Sequence, residues 1–154
     1  MVRVARPADA EAAVAVVRRS ITESCRPDHH GDPATLARWL ANKTAANFGA
    51  WLVDADKYCV IAALDGPVCA VGLLQRSGEV MLCYVAPEAQ KRGVGRALHA
   101  ALEGKARAWQ LPRLHLHSTL VARRFYENLG YRHSGPPQPG FGVTLCHPYE
   151  KPLS

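Results

Sequence analysis

The chain reads as an α/β protein of the α+β kind: a central mixed, mostly antiparallel sheet flanked by about four helices, carried by one domain over residues 1–154. Two apolar runs, Tyr58 to Leu64 and Val68 to Gln75, are split by Asp65-Gly66, a two-residue hairpin signal of the primed-turn type. A third run, Glu79 to Val85, follows Ser77-Gly78 and enters a basic, glycine-spaced turn ahead of a long amphipathic stretch. With 154 residues, 48% hydrophobic and 21% charged, the chain can bury roughly two-thirds of its unfolded surface in one core.

In order along the chain, Val2 and Val4 alternate with Arg3 and Ala5 as a short edge-like strand. Pro7-Ala8-Asp9 then opens a helix with Val14, Val17 and Ile21 on one face. Cys25 to Gly31 reads as a polar, histidine-rich loop. Asp32 is an N-cap with Pro33 at the first helical position, and the helix it starts buries Leu36, Trp39 and Leu40. The meander of three strands follows. The helix after the glycine turn carries Val94, Leu98, Ala101, Leu102 and Trp109 on its apolar side. Leu114-His115-Leu116-His117 is a strand with its histidines on one face and its leucines on the other. A helix from about Leu120 to Leu129 stops at Gly130. Gly135 to Gly140 is a stiff loop, and a last strand lies around Val143 to His147.

The turn between strand and helix carries the chemistry. At a helix start the first amides have no helical acceptor and the dipole is positive, so the main chain itself binds anionic oxygens. Gly93 and Gly95 remove Cβ atoms that would block a close approach. Neither a Walker A loop nor GxGxxG fits, since no Gly-Lys-Ser/Thr occurs and Leu98 stands at the third glycine of the dinucleotide pattern. What fits is Gln/Arg-x-x-Gly-x-Gly, written Gln90-Lys91-Arg92-Gly93-Val94-Gly95 directly after Val85. This resembles the coenzyme A pyrophosphate loop of the GNAT acetyltransferase superfamily. Phe125-Tyr126-Glu127-Asn128-Leu129-Gly130-Tyr131 is similar to that superfamily's Phe-Tyr-Glu-x-Leu-Gly-Phe segment, and the element order agrees over nearly the whole chain.

The resemblance implies a V-shaped splay between two strands, with acetyl-CoA bound there. Pantetheine amides would pair with the backbone of Cys83, Tyr84 and Val85, and the phosphates would meet Gln90, Lys91, Arg92, Gly93, Val94, Gly95 and Arg96. Thr119 stands seven residues before Tyr126, where family members often carry a cofactor-contacting Asn. Tyr126 occupies the place of the acid that protonates the leaving thiolate. The base that relieves the attacking ammonium of its proton is Glu79, His115 or His117, and the residues leave that choice open. His29 and His30 lie in the region that lines the acceptor pocket in the family.

The implied activity is transfer of acetyl to a primary amine, on a small molecule or else on a protein. The competing reading is a silent coenzyme A-binding module. His115, His117, Cys146 and His147 are of zinc-ligand type, but adjacent strand residues point to opposite faces, so no metal is expected. Cys25, Cys59, Cys69, Cys83 and Cys146 are odd in number, show no CxxC spacing, and read as reduced. The net charge of +6 suits a phosphorylated cofactor; the basic residues are spread along the chain rather than in a stripe, so no nucleic acid is expected. No run approaches the ~20 apolar residues of a membrane span and no signal-peptide core is present, which predicts a cytoplasmic protein without a membrane partner. Pairing into a homodimer through a sheet edge or the proline-rich loop is compatible with the sequence.

Overall fold

The computed structural model describes residues 1–140 and 144–153. Strand β1 (Val2–Val4) lies at the edge of an antiparallel sheet with β2 (Lys57–Ala63), β3 (Val68–Gln75) and β4 (Val80–Val85), in the order β1-β2-β3-β4. Every residue of β3 from Cys69 to Leu74 is buried, because helices cover both faces. Helix α1 (Ala10–Arg19) packs on one side through Val14 and Val17 and runs on into a π-helical turn, Ser20–Ser24. On the other side lies α5 (Val94–Ala108), with Leu98 and Leu102 against β3 at Gly72.

The second sheet is β5 (Arg113–Ser118), β8 (Thr144–Pro152) and β6 (Arg132–His133), with β7 (Gln138–Gly140) also pairing with β8. The two sheets meet at one point. The His115 amide donates to the Gly78 carbonyl at 3.0 Å, and Glu79 bridges His115 in parallel register. A Cβ on Gly78 would lie 2.7 Å from the Arg113 carbonyl oxygen, and its φ is +99°, so only glycine permits this junction. Beyond it β4 and β5 diverge, which is the splay.

Several elements differ from the expectations, each for a physical reason. The hairpin connection is four residues, 64–67, although Asp65 and Gly66 both have positive φ as a primed turn needs. Pro67 has no N–H to close the tighter two-residue loop. Arg26–His29 is a short helix, α2, rather than loop. After α3 (Pro33–Leu40), capped by Asp32 as expected, comes an unforeseen helix, α4 (Ala45–Leu52), capped by Thr44 accepting from the Asn47 amide at 3.1 Å. The helix placed at Leu120 begins later, as α6 (Arg123–Asn128); residues 120–122 form a turn in which Asp28 accepts from the Leu120 amide and Thr119 from the Ala122 amide. The stiff loop contains β7, and β8 runs five residues beyond His147, through Pro148. The Pro148 carbonyl accepts from Ser134, just past the end of β6, so the missing N–H falls where pairing with β6 has stopped. Val143, expected in that strand, lies outside the described residues. No helix among the described residues is long and apolar enough to cross a membrane.

Candidate active site

In an antiparallel ladder alternate residues direct their backbone groups to opposite sides. The Ala86 amide bonds to Cys69 of β3, and Tyr84 pairs with Val71 in the same register. Cys83 and Val85 therefore turn their amides and carbonyls away from β3, into the splay. Ser20 confirms that direction, its hydroxyl donating to the Val85 carbonyl at 2.9 Å. Gln90 donates to the same oxygen at 3.4 Å and to Ser24 Oγ at 3.0 Å, tying the glycine turn to the end of α1.

A cavity of about 490 Å3 follows this open edge. Cys83 and Val85 face it from one side of β4 and Tyr84 from the other, which is possible only because no strand pairs with β4 there. At one end Gln90, Lys91, Gly93, Gly95 and Arg96 form its wall. Lys91 and Gly93 are both left-handed, at φ 62° and 79°, and Gly93 caps α5, so the Val94, Gly95 and Arg96 amides have no helical acceptor. Phe125 packs over Gly95, where an added Cβ would come within 3.1 Å of its ring. This donor set, with two cationic side chains on a helix N-terminus, fits a diphosphate, and the strand edge beyond it fits an amide-bearing chain.

Tyr126 also lines the cavity. Its ring is buried, edge-on to Phe125 at 5.1 Å and to Tyr131 at 5.4 Å, and its hydroxyl hydrogen-bonds with the Cys83 thiol. Burial raises the phenol well above its ordinary range, with Cys83 adding to the effect. Burial likewise pushes the Cys83 thiol up to about 12, against a smaller opposing pull from Tyr126. At neutral pH Tyr126 therefore keeps its proton, and Cys83, held as a thiol, is a poor nucleophile. Tyr84 is also raised by burial, and Cys25 is pushed up to about 12.

Of the other residues singled out in the sequence, Thr119 and His117 border the cavity. Thr119 Oγ1 accepts from the Ala122 amide at 3.2 Å. Glu79 and His115 meet at the closed end of the splay, outside the cavity lining. Val94 is buried in the core and Arg92 is exposed outside that lining. His29 is buried with both ring nitrogens engaged: Nε2 donates to Ile21 at 2.9 Å and Nδ1 accepts from Gly31 at 2.9 Å, which fixes its tautomer. His30 adopts φ 57° at the end of α2. Both border a second cavity. Ser20, Ser24, Cys25 and Met81 also line the first one and were not foreseen, since only the fold carries the end of α1 to the strand edge. All five cysteines are free, and among the described residues no three His, Cys, Asp or Glu side chains converge as metal ligands.

Comparison with known proteins adds independent findings. A search of curated sequences returned no match. Among solved structures, a GCN5-related N-acetyltransferase from Rhodopseudomonas palustris is 26% identical with a TM-score of 0.87, over 99% of this chain and 95% of that one. PaiA N-acetyltransferase from Thermoplasma acidophilum, solved with coenzyme A, is 17% identical with a TM-score of 0.81, over 99% and 98% of the chains. YncA from Salmonella typhimurium, solved with its cofactor acetyl-CoA, is 20% identical with a TM-score of 0.77, over 100% and 94%. The model of the acetyltransferase (GNAT) domain matches residues 25–153. That match runs from the end of the first helical segment to the penultimate residue, and the chain therefore belongs to the GNAT acetyltransferase family.

Proposed function

We propose that the protein is an N-acetyltransferase that moves the acetyl group of acetyl-CoA directly to a primary amine of a small molecule. The observation that carries this reading is the shared cavity: the open edge of β4, the glycine turn and Tyr126 border one space. Acetyl-CoA supplies an activated acyl carbon and a thiolate leaving group when bound. The Val94, Gly95 and Arg96 amides hold the diphosphate, with Lys91 and Arg96 balancing its charge. Cys83 would pair with pantetheine along the strand edge, since the Val85 carbonyl is already taken by Ser20 and Gln90. The Val85 N–H, fixed by the sheet, donates to the carbonyl oxygen as negative charge builds there, a contribution of about 3 kcal/mol in comparable sites. Tyr126 Oη would supply the proton the leaving sulfur needs, and the second proton that the nitrogen releases on becoming an amide would restore the phenol, the first having gone to His117. His117, the one candidate base bordering the cavity, takes the proton of the attacking ammonium, directly or through water. Ser24, Cys25 and Tyr84 wall the other face of the splay, which favours a compact amine over a protein chain.

The test is Tyr126→Phe, which removes only the hydroxyl. Acetylation, followed as free thiol release with a panel of amines, should slow by about 10²-fold or more, while the dissociation constant of coenzyme A stays unchanged. An unaltered rate would remove Tyr126 from the chemistry, and wild-type protein that binds coenzyme A yet turns over no amine would identify a silent binding module.

A further inference from the structure

Among the described residues, no Asp or Glu lines the cavity along β4. The elements around it do carry carboxylates, yet these are engaged elsewhere. Glu23 in the π-helical turn and Glu88 after β4 both pair with Arg19, at 3.4 and 2.6 Å. Asp28 on α2 accepts from the Leu120 and Val121 amides. Glu127 on α6 accepts from the Tyr149 hydroxyl at 2.6 Å, and Glu79 lies at the closed end of the splay. Residues 141–143 and 154, outside the described part of the chain, include no Asp or Glu.

The cationic side chains are concentrated at the glycine turn. Lys91 and Arg96 stand there, where the proposed diphosphate takes up their charge, and no other lysine or arginine among the described residues lines the space. Beyond the turn the wall is largely apolar, with Cys25, Val80, Met81, Val121 and Ala122. The hydroxyls on it are already bonded within the protein. Ser20 donates to the Val85 carbonyl, Ser24 accepts from Gln90, Thr119 accepts from the Ala122 amide, and the Trp39 indole donates to Tyr84 Oη. An ammonium or carboxylate carried from water into such surroundings loses hydration that no opposite charge replaces, whereas methylene groups gain by leaving water.

We infer that the acceptor is a monoamine with an apolar body and no second charged group, its hydrocarbon lying along the apolar wall and its nitrogen at His117. The one charge that it brings is removed at the site, because its proton passes to His117, an exposed residue. The second charge of a diamine or an amino acid would remain in the cavity without a counter-ion. That this amine is acetylated rests on the acetyltransferase reading; that the cavity selects against a second charge rests on its lining.

The experiment is calorimetric titration of n-alkylamines, α,ω-diamines and ω-amino carboxylates of matching length into the coenzyme A complex of the full chain, with thiol release from acetyl-CoA followed for the same compounds. At one or more lengths the monoamine should bind about tenfold or more tightly than either charged counterpart. Val121→Glu adds a carboxylate to the wall at a residue 42% exposed, where folding is not in question. It should narrow the gap between monoamine and diamine by about threefold or more. Equal affinities at every length, monoamines that fail to bind, or a gap that Val121→Glu leaves unchanged overturn the inference. Selective binding of monoamines without turnover would uphold it and remove the acetyltransferase reading. Turnover of diamines or amino carboxylates as fast as monoamines would keep that reading and overturn the inference.

Discussion

His99 on α5 is a titratable residue buried in the core, with Nε2 at 2.7 Å from the Tyr131 hydroxyl. Tyr131 in turn packs edge-on against Tyr126, so the imidazole helps to fix the ring that positions the proposed acid. Burial holds its pKa down to about 4 from an ordinary 6.5, with Glu103 opposing and Lys151 adding to the shift. Between these values acid protonates the unfolded chain but not the folded one. Stability from this group is therefore complete above pH 6.5, falls as the pH drops to about 4, and levels off below, a loss of roughly 3 kcal/mol in all. Urea unfolding at pH 7 and pH 4.5 should show the loss in wild-type protein and a smaller one in His99→Gln, which can still bond the Tyr131 hydroxyl without titrating. An equal pH dependence in both proteins would mean that another group sets it. His99 drew no notice in the sequence because a lone histidine among helix residues carries no sign of its burial. His29 lies in the segment read as a loop, and there packing against Trp39 and a bond to the Ile21 carbonyl hold its ring in place.

At the scale of elements, the junction of β4 and β5 decides whether a splay exists. Gly78→Ala would force a residue with φ of +99° to carry a Cβ 2.7 Å from the Arg113 carbonyl, and backbone against backbone has no side chain to rotate away. It should cost roughly 3 kcal/mol, the sum of left-handed strain and a displaced strand. Gly104→Ala on α5 is the contrasting change, with no atom within 4 Å of the new Cβ, and should stabilise by roughly 0.5–1 kcal/mol through helix propensity. Urea midpoints that moved alike for the two would contradict this account. The elements that could be read from sequence share a local cause. Asp32-Pro33 caps its own helix, the Leu-His-Leu-His run sorts its own faces, and the Gly93–Gly95 turn is set by its own missing Cβ atoms. What could not be read depends on distant partners: the Leu120 amide, in the turn ahead of α6, is held by Asp28, 92 residues away. Helix α4 escaped notice because Gly49 and a nearly all-apolar run, Phe48 to Val53, hide the polar face that would have shown a helical period. The same distinction runs through the first cavity, where the turn and Tyr126, singled out in the sequence, form part of the lining, but Ser20 and Ser24 reach it only through the closure of the fold.

The whole molecule is two sheets hinged at Gly78 and His115 and held apart along the rest of β4 and β5, with α5 and α6 packed below the gap. Such an arrangement leaves one strand edge open in the interior of the protein, a condition that normally invites pairing. The proposed cofactor is the strand-like partner that closes it, so ligand binding and local stability are linked. The ladder makes the consequence residue-specific. Tyr84 and Ala86 direct their amides to β3, where they are bonded whether or not a ligand is present, whereas Cys83 and Val85 direct theirs into the splay. On β5 the His115 amide is spent on Gly78, and His117, two residues on, turns its amide to the same open side. Hydrogen exchange resolved by residue should then alternate along β4 in the free protein, slow at Tyr84 and Ala86 and fast at Cys83 and Val85. Saturation with coenzyme A should slow Cys83, Val85 and the Val94 to Arg96 amides while leaving Tyr84 and Ala86 nearly unchanged. A global stabilisation would protect all of these sites together, in proportion to the added binding free energy, and would not reproduce the alternation. Uniform protection of β4 before any ligand is added would mean that the splay is closed in solution, and with it the site proposed for acetyl transfer.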